Sequence, residues 1–113
     1  VFDPVHNGTL YAGAHSHGVG RSTDNGATWT ISNAGIPSFL LVTSLAIDPI
    51  HPSTLYAATS NAVFRSTDSG ATWAKLGTGL EDVIVYEIKL DPIDPRILYA
   101  ATFGGGVMRL RME

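Results

Sequence analysis

Apolar and polar positions alternate along this chain in short runs that stop at glycine, proline or aspartate. That period of two predicts strands. In the middle of the chain SLAID (44–48) alternates and halts at Pro49, and TLYAAT (54–59) follows as a second strand. AVFRST (62–67) reads as a third, Asp68, Ser69 and Gly70 as a turn, and TWAKL (72–76) as a fourth. Glycine and proline are spaced so that no run keeps a 3.6-residue period, so no helix is predicted.

The same order of runs recurs. Asp–Pro pairs start at Asp3, Asp48 and Asp91, LYA triplets at Leu10, Leu55 and Leu98, and arginines stand at Arg21, Arg65 and Arg109. All three features share a spacing of about 44 residues, which marks a repeat protein. Four antiparallel strands in each repeat of about 40–50 residues are the signature of a β-propeller blade. With strands lettered A to D, blade one (1–32) has a stub of A at Val1–Asp3, then B, C and D. Blade two (43–76) is complete, and blade three (86–113) has A at Tyr86–Asp91, then B, and C at Val107–Arg111. The expected fold is therefore all-β: one partial propeller, 1–113, of about two and three-quarter blades.

The turn between strands C and D is nearly duplicated, as RSTDNGATW (21–29) and RSTDSGATW (65–73). Asp24 and Asp68 are placed to accept backbone N–H groups just ahead of them, Ser22 and Ser66 to support the turn, and Gly26 and Gly70 to take positive φ. Trp29 and Trp73 are expected to bury their rings between blades. The pattern S-T-D-x-G-x-T-W resembles the Asp-box, or BNR repeat, of sialidases, xyloglucan-hydrolysing glycosidases, sortilin-type receptors and photosystem II assembly factors. The wider pattern IDPxxPxxLYAAT…VFRSTDxGATW resembles the bacterial glycosidase-like (sialidase and xyloglucanase) and assembly-factor propellers. Blade three departs from it, reading RLRME (109–113) where the box belongs. The resemblance implies a structural role for Ser22, Asp24, Gly26, Thr28 and Trp29, and for Ser66, Asp68, Gly70, Thr72 and Trp73. A calcium site at these aspartates fails on ligand count, because calcium takes six or more oxygens.

Composition removes several function classes. The 113 residues are 44% hydrophobic and 15% charged, with net charge −3. That balance suits a globular chain, and the absence of a basic block argues against nucleic acid. No cysteine is present, so disulfides and thiolate metal sites are excluded. The longest mostly apolar stretch (36–47) is too short and interrupted to span a bilayer. No cofactor or metal is predicted, and localisation stays open.

Candidate chemistry falls on the B–C loops, AHSHG (14–18), TSNA (59–62) and TFGGG (102–106), and on the D–A loops, 32–42 and 76–85. These are the least alike parts of the repeats, and the resemblance places ligands on their face. His15 and His17 form an i, i+2 pair that reads either as two metal ligands or as a polar loop tip. Glu81 and Asp82 are adjacent carboxylates, which point apart in extended chain and so do not make the opposed pair of a glycosidase. Glu87 and Lys89 share one face of strand A, where blade two has Ser44 and Ala46. Asn61 lies in the second B–C loop, and Phe39, Tyr86 and Phe103 are placed to receive a sugar ring or a peptide. Arg21, Arg65 and Arg109 recur one per blade and so do not converge on a sialidase-like cluster. No Ser-His-Asp, phosphate-loop or zinc signature appears. The first expectation is therefore a non-catalytic module binding carbohydrate or protein. The alternative is a glycoside-hydrolase-like enzyme, or a detached fragment of one. Fewer than three full blades leave apolar faces that a ring has to cover, so a second copy is expected to complete six blades as a homodimer. The alternative is an arc cut from a longer polypeptide, which would associate loosely or aggregate.

Overall fold

The computed structural model describes residues 1–14, 18–37, 40–76 and 83–112. Ten strands lie among them: β1 (Leu10–Ala14), β2 (Gly18–Ser22), β3 (Thr30–Ile31), β4 (Val42–Ile47), β5 (Leu55–Thr59), β6 (Val63–Ser66), β7 (Ala74–Lys75), β8 (Val85–Leu90), β9 (Ile97–Thr102) and β10 (Gly106–Arg111). They pair antiparallel into three sheets in the orders β1-β2-β3, β4-β5-β6-β7 and β10-β9-β8. No helix occurs among the described residues, as the two-residue period requires. The first sheet carries its stub as well, since Phe2 bridges Leu10 and Val1 exchanges backbone hydrogen bonds with Tyr11.

The sheets stack side by side as propeller blades, and alternation along each strand explains how. In β5, Leu55 and Ala57 turn to the first sheet, where they join Phe64 and Trp73 in a core with Tyr11, Val19 and Ile36. Tyr56 and Ala58 turn the other way, joining Val63 in a core with Val85, Ile88, Leu98 and Leu110 of the third sheet. Every residue of β5 is buried, because the middle blade is covered on both faces. A strand of this kind reads as a continuous apolar run, unlike a strand with one wet face. The inner strands β4 and β8 approach most closely, and Thr43 Oγ1 donates across that gap to the Val85 carbonyl.

Turn chemistry sorts the loops onto two ends. Asp3, Asp48 and Asp91 each accept two backbone N–H groups through Oδ1, two and three residues ahead, which closes the A–B turns. The C–D turns sit beside them: Asn25 N–H donates to the Gly8 carbonyl, and Ser69 N–H to the Ser53 carbonyl. At the opposite end the B–C loops meet the strand A entries, with Ser60 N–H on the Leu41 carbonyl and Phe103 N–H on that of Ile84. The second and third B–C loops and the described strand A entries beside them thus share one end of the molecule.

Candidate functional site

The two duplicated turns are built alike. Ser22 Oγ donates to Asp24 Oδ1 at 2.8 Å and accepts the Gly26 N–H at 2.9 Å. Ser66 does the same with Asp68 and Gly70, both at 2.8 Å. Each aspartate also accepts the backbone N–H and the hydroxyl of the threonine four residues ahead. The reach is longer than the Asx turn expected from sequence, and it encloses the whole loop. The threonine and serine donors hold the Asp24 carboxyl down at about 2, and the same donors lower that of Asp68. With their lone pairs taken up by the chain's own donors, these carboxylates are occupied structurally. Gly26 and Gly70 take φ of 90° and 86°, but Asn25 and Ser69 are also left-handed, each at 59°.

Trp29 and Trp73 part company. Trp73 is 5% exposed and its indole N–H reaches both the Gly70 and Ser32 carbonyls, whereas Trp29 is 43% exposed and reaches the Gly26 carbonyl. Burial between blades therefore holds for Trp73, and no sheet covers Trp29 among the described residues.

At the loop end the structure brings two candidates together. Tyr86 is the extra residue of a bulge, because Val85 pairs with Thr102 and Glu87 with Ala101. The bulge aims its ring outward against Phe103 of the third B–C loop, with centroids 6.2 Å apart and planes at 77°. The rings are 51% and 65% exposed. The second sheet repeats the bulge at Thr43, between Val42 and Ser44, and has Ser60 where Phe103 stands. Small polar residues in one blade are thus replaced by two aromatics in the next. Asn61 is half-buried in the second B–C loop: its N–H is received by Thr59 Oγ1 and its carbonyl takes the Val83 N–H.

Glu87 and Lys89 lie on one face as expected and pair at 3.6 Å, largely in solvent. Arg21 and Tyr11 meet within one blade, Nε to hydroxyl at 3.3 Å, with the guanidinium over the ring. Arg109 is exposed on the third sheet, so the three arginines do not converge. His15, His17, Phe39, Glu81 and Asp82 lie outside the described residues. Among the described residues no group of three or more His, Asp or Glu is placed to hold a metal ion. None of their helices is long and apolar enough to cross a membrane.

Sequence reasoning missed the contacts that the 32–35 segment makes between blades. Ser32 Oγ donates to the Gly70 carbonyl at 2.7 Å, and the Trp73 N–H donates to the Ala34 carbonyl. Gly35, at φ 100°, lies so close over Trp73 that a Cβ there would sit 2.0 Å from its carbonyl oxygen. These partners are about 40 residues apart, beyond any local pattern. Only the glycine itself was a signal.

No family model matches the chain, and no curated protein matches it in sequence. Solved structures do match. A GH74 enzyme of Niastella koreensis is similar with TM-score 0.82 at 24% identity, over 97% of this chain and 19% of that one. An ancestral GH74 enzyme gives 0.81 at 24%, over 90% and 13%. The GH74 xyloglucanase from Xanthomonas campestris gives 0.75 at 25%, over 99% and 19%. The chain spans less than a fifth of the length of each. The likeness shows the fold, a stack of blades from a propeller of the kind these glycosidases use.

Proposed function

We propose that this chain is a non-catalytic Asp-box propeller module that binds carbohydrate, or a protein segment, at its loop end. Residues 1–32, 43–76 and 86–113 are its blades, and the two serine–aspartate turns are its Asp-boxes, with a structural role. The observation that carries the binding role is the exposed Tyr86–Phe103 pair, whose apolar faces suit a sugar ring. In this reading Asn61 and Glu87 supply polar contacts beside the rings. His15, His17, Phe39, Glu81 and Asp82 belong to the same set of loops by their place in the repeat. The ring is completed by a second copy, giving a homodimer of six blades that hides the outer sheet faces.

Calorimetric titration with xyloglucan oligosaccharides and a peptide library tests the binding role. Tyr86→Ala and Phe103→Ala are each expected to weaken binding about tenfold, the loss of roughly 1.4 kcal/mol. A folded sample that binds nothing, or binds equally well without both rings, overturns the reading.

A second reading, a glycoside-hydrolase-like enzyme, is favoured by the fold shared with GH74 enzymes. Glu87 is its acid among the described residues of the loop-end strands, though it is engaged with Lys89. Turnover of aryl glycosides or xyloglucan that is lost in Glu87→Gln would replace the binding reading with this one.

A further inference from the structure

Each blade has a forward and a backward face, and the chain shows the two joined twice. The LYA repeats and strand pairing align Tyr11, Tyr56 and Tyr99, then Val19, Val63 and Val107, on the forward faces. Tyr11, Tyr56, Val19 and Val63 are all 4% exposed or less, because the next sheet lies over them. Val107 is 74% exposed, and beside Tyr99 it lines an open groove of about 390 Å³ with Lys89, Pro92 and Ala101. The backward faces repeat in the same way. Leu55 and Ala57 are covered by the first sheet, Trp73 by the 32–35 segment that follows it, and Leu98 and Ala100 by the second sheet. On the first sheet the matching positions are Leu10, Ala12 and Trp29, and here Ala12 and Trp29 are exposed.

The described blades therefore leave one forward face and one backward face open, and over three inner strands these repeat the two halves of an interface the molecule already makes. Among the described residues the third sheet, β10-β9-β8, has no counterpart of the outer strand and following segment that cover Trp73. The open backward half is largely apolar, whereas the forward half also carries the exposed Arg109 and Arg111, opposite Tyr99 and Ile97. Ile31, 64% exposed, stands opposite Gly20 on the backward face where the second blade has Lys75. On the forward face, Glu87 and Lys89 neutralise one another.

We infer that the Trp29 face of one copy docks head to tail on the Tyr99–Val107 face of a second copy. This rests on the reading of the ring as completed by a second copy, and it adds which faces meet. The contact is heterologous, using different residues on the two sides, so a closed dimer contains two identical seams. Across its three inner strands it continues the blade-to-blade register already present between the first and second and the second and third sheets.

Complementation tests the pairing. Light scattering on the 113-residue chain is expected to give twice the chain mass at micromolar concentration. Ile31→Asp and Val107→Asp change exposed side chains, so circular dichroism should stay native while each variant alone runs as a monomer. Trp29→Gln serves if Ile31→Asp does not fold. Mixing Ile31→Asp with Val107→Asp should restore a dimer, weaker than the parent, because one seam then joins two unaltered faces. A dimer indifferent to both substitutions, or a mixture that stays monomeric, overturns the head-to-tail pairing and leaves the second-copy reading standing. A monomeric parent overturns both. Sugar binding lost in Tyr86→Ala reports on the loop end separately from either result.

Discussion

The turns at 22–29 and 66–73 are the same object in two surroundings. They differ at one position, Asn25 against Ser69, and both are left-handed at φ 59°. Their internal hydrogen bonds agree to within 0.1 Å, from serine to aspartate, glycine to serine and threonine to aspartate. Yet Trp73 is 5% exposed and Trp29 43%. Local sequence sets the loop, and the neighbouring blade decides what the loop is worth to the fold. The Ser32 to Gly35 segment supplies that difference: it lies over Trp73 and gives its indole a second acceptor.

The largest effect should come from the tryptophans. Trp73→Ala removes a ring packed between two sheets and is expected to cost about 3–5 kcal/mol. Trp29→Ala, measured at concentrations where the chain is a monomer, should cost about 1 kcal/mol, in the range of a partly exposed substitution. Urea unfolding followed by far-ultraviolet circular dichroism gives both numbers. Equal costs would mean that the turns do not differ in the way their burial shows.

A glycine pair sharpens the same contrast. Alanine at Gly26 or Gly70 meets the left-handed penalty of about 1–2 kcal/mol. At Gly26 the new Cβ finds ordinary contact, 3.6 Å from Trp29. At Gly70 it comes within 3.0 Å of Ser32 Oγ and 3.4 Å of Tyr11, so overpacking adds about 1 kcal/mol or more. Gly70→Ala should therefore unfold at lower urea than Gly26→Ala, and the reverse order would place the tight contact elsewhere.

Much of this was written in the sequence because it is local. A period of two, the Asp–Pro stops and the 44-residue repeat predicted about two and three-quarter blades, and the strands fall within about two residues of the expected runs. The i, i+2 spacing of Glu87 and Lys89 predicted one face, and their ion pair shows it. What was not legible depends on residues far apart in the chain. Tyr86 and Phe103 were each placed near ligand loops, but their meeting depends on a bulge at Tyr86 that no composition signal marks. Trp29 was expected to be buried along with Trp73, since identical strings carry no record of what stacks on them. Thr43 reads as one more polar position in a strand, although its hydroxyl reaches the third sheet.

Ser32 offers a smaller test of the cover over the second turn. Its hydroxyl donates to the Gly70 carbonyl across the blade boundary, and Ser32→Ala leaves that carbonyl with the Trp73 indole N–H. A net loss of about 1 kcal/mol is expected, the usual contribution of one hydrogen bond. The Trp73 fluorescence maximum should shift to the red as water reaches the indole. An unchanged stability and spectrum would show that packing alone holds the ring.

Acid should divide the two turns least of all. The Asp24 carboxyl is held at about 2 by the Thr28 hydroxyl and N–H and then by the Ser22 hydroxyl, and Asp68 is lowered by the matching groups. A carboxylate whose folded value is depressed binds fewer protons folded than unfolded, so it favours the folded state above its unfolded value of 3.8. That contribution fades as pH falls from there through about 2. Both turns should lose it together, because the donors belong to the loops and not to the neighbouring blade. Asp24→Asn is expected to flatten the fall of urea midpoint between about pH 4 and pH 2, Asp68→Asn to act in the same direction, and the double variant to flatten it further. If Asp68→Asn alone removes the slope, the covering blade reaches the carboxylate after all, and the turns differ in their electrostatics as well as in their burial.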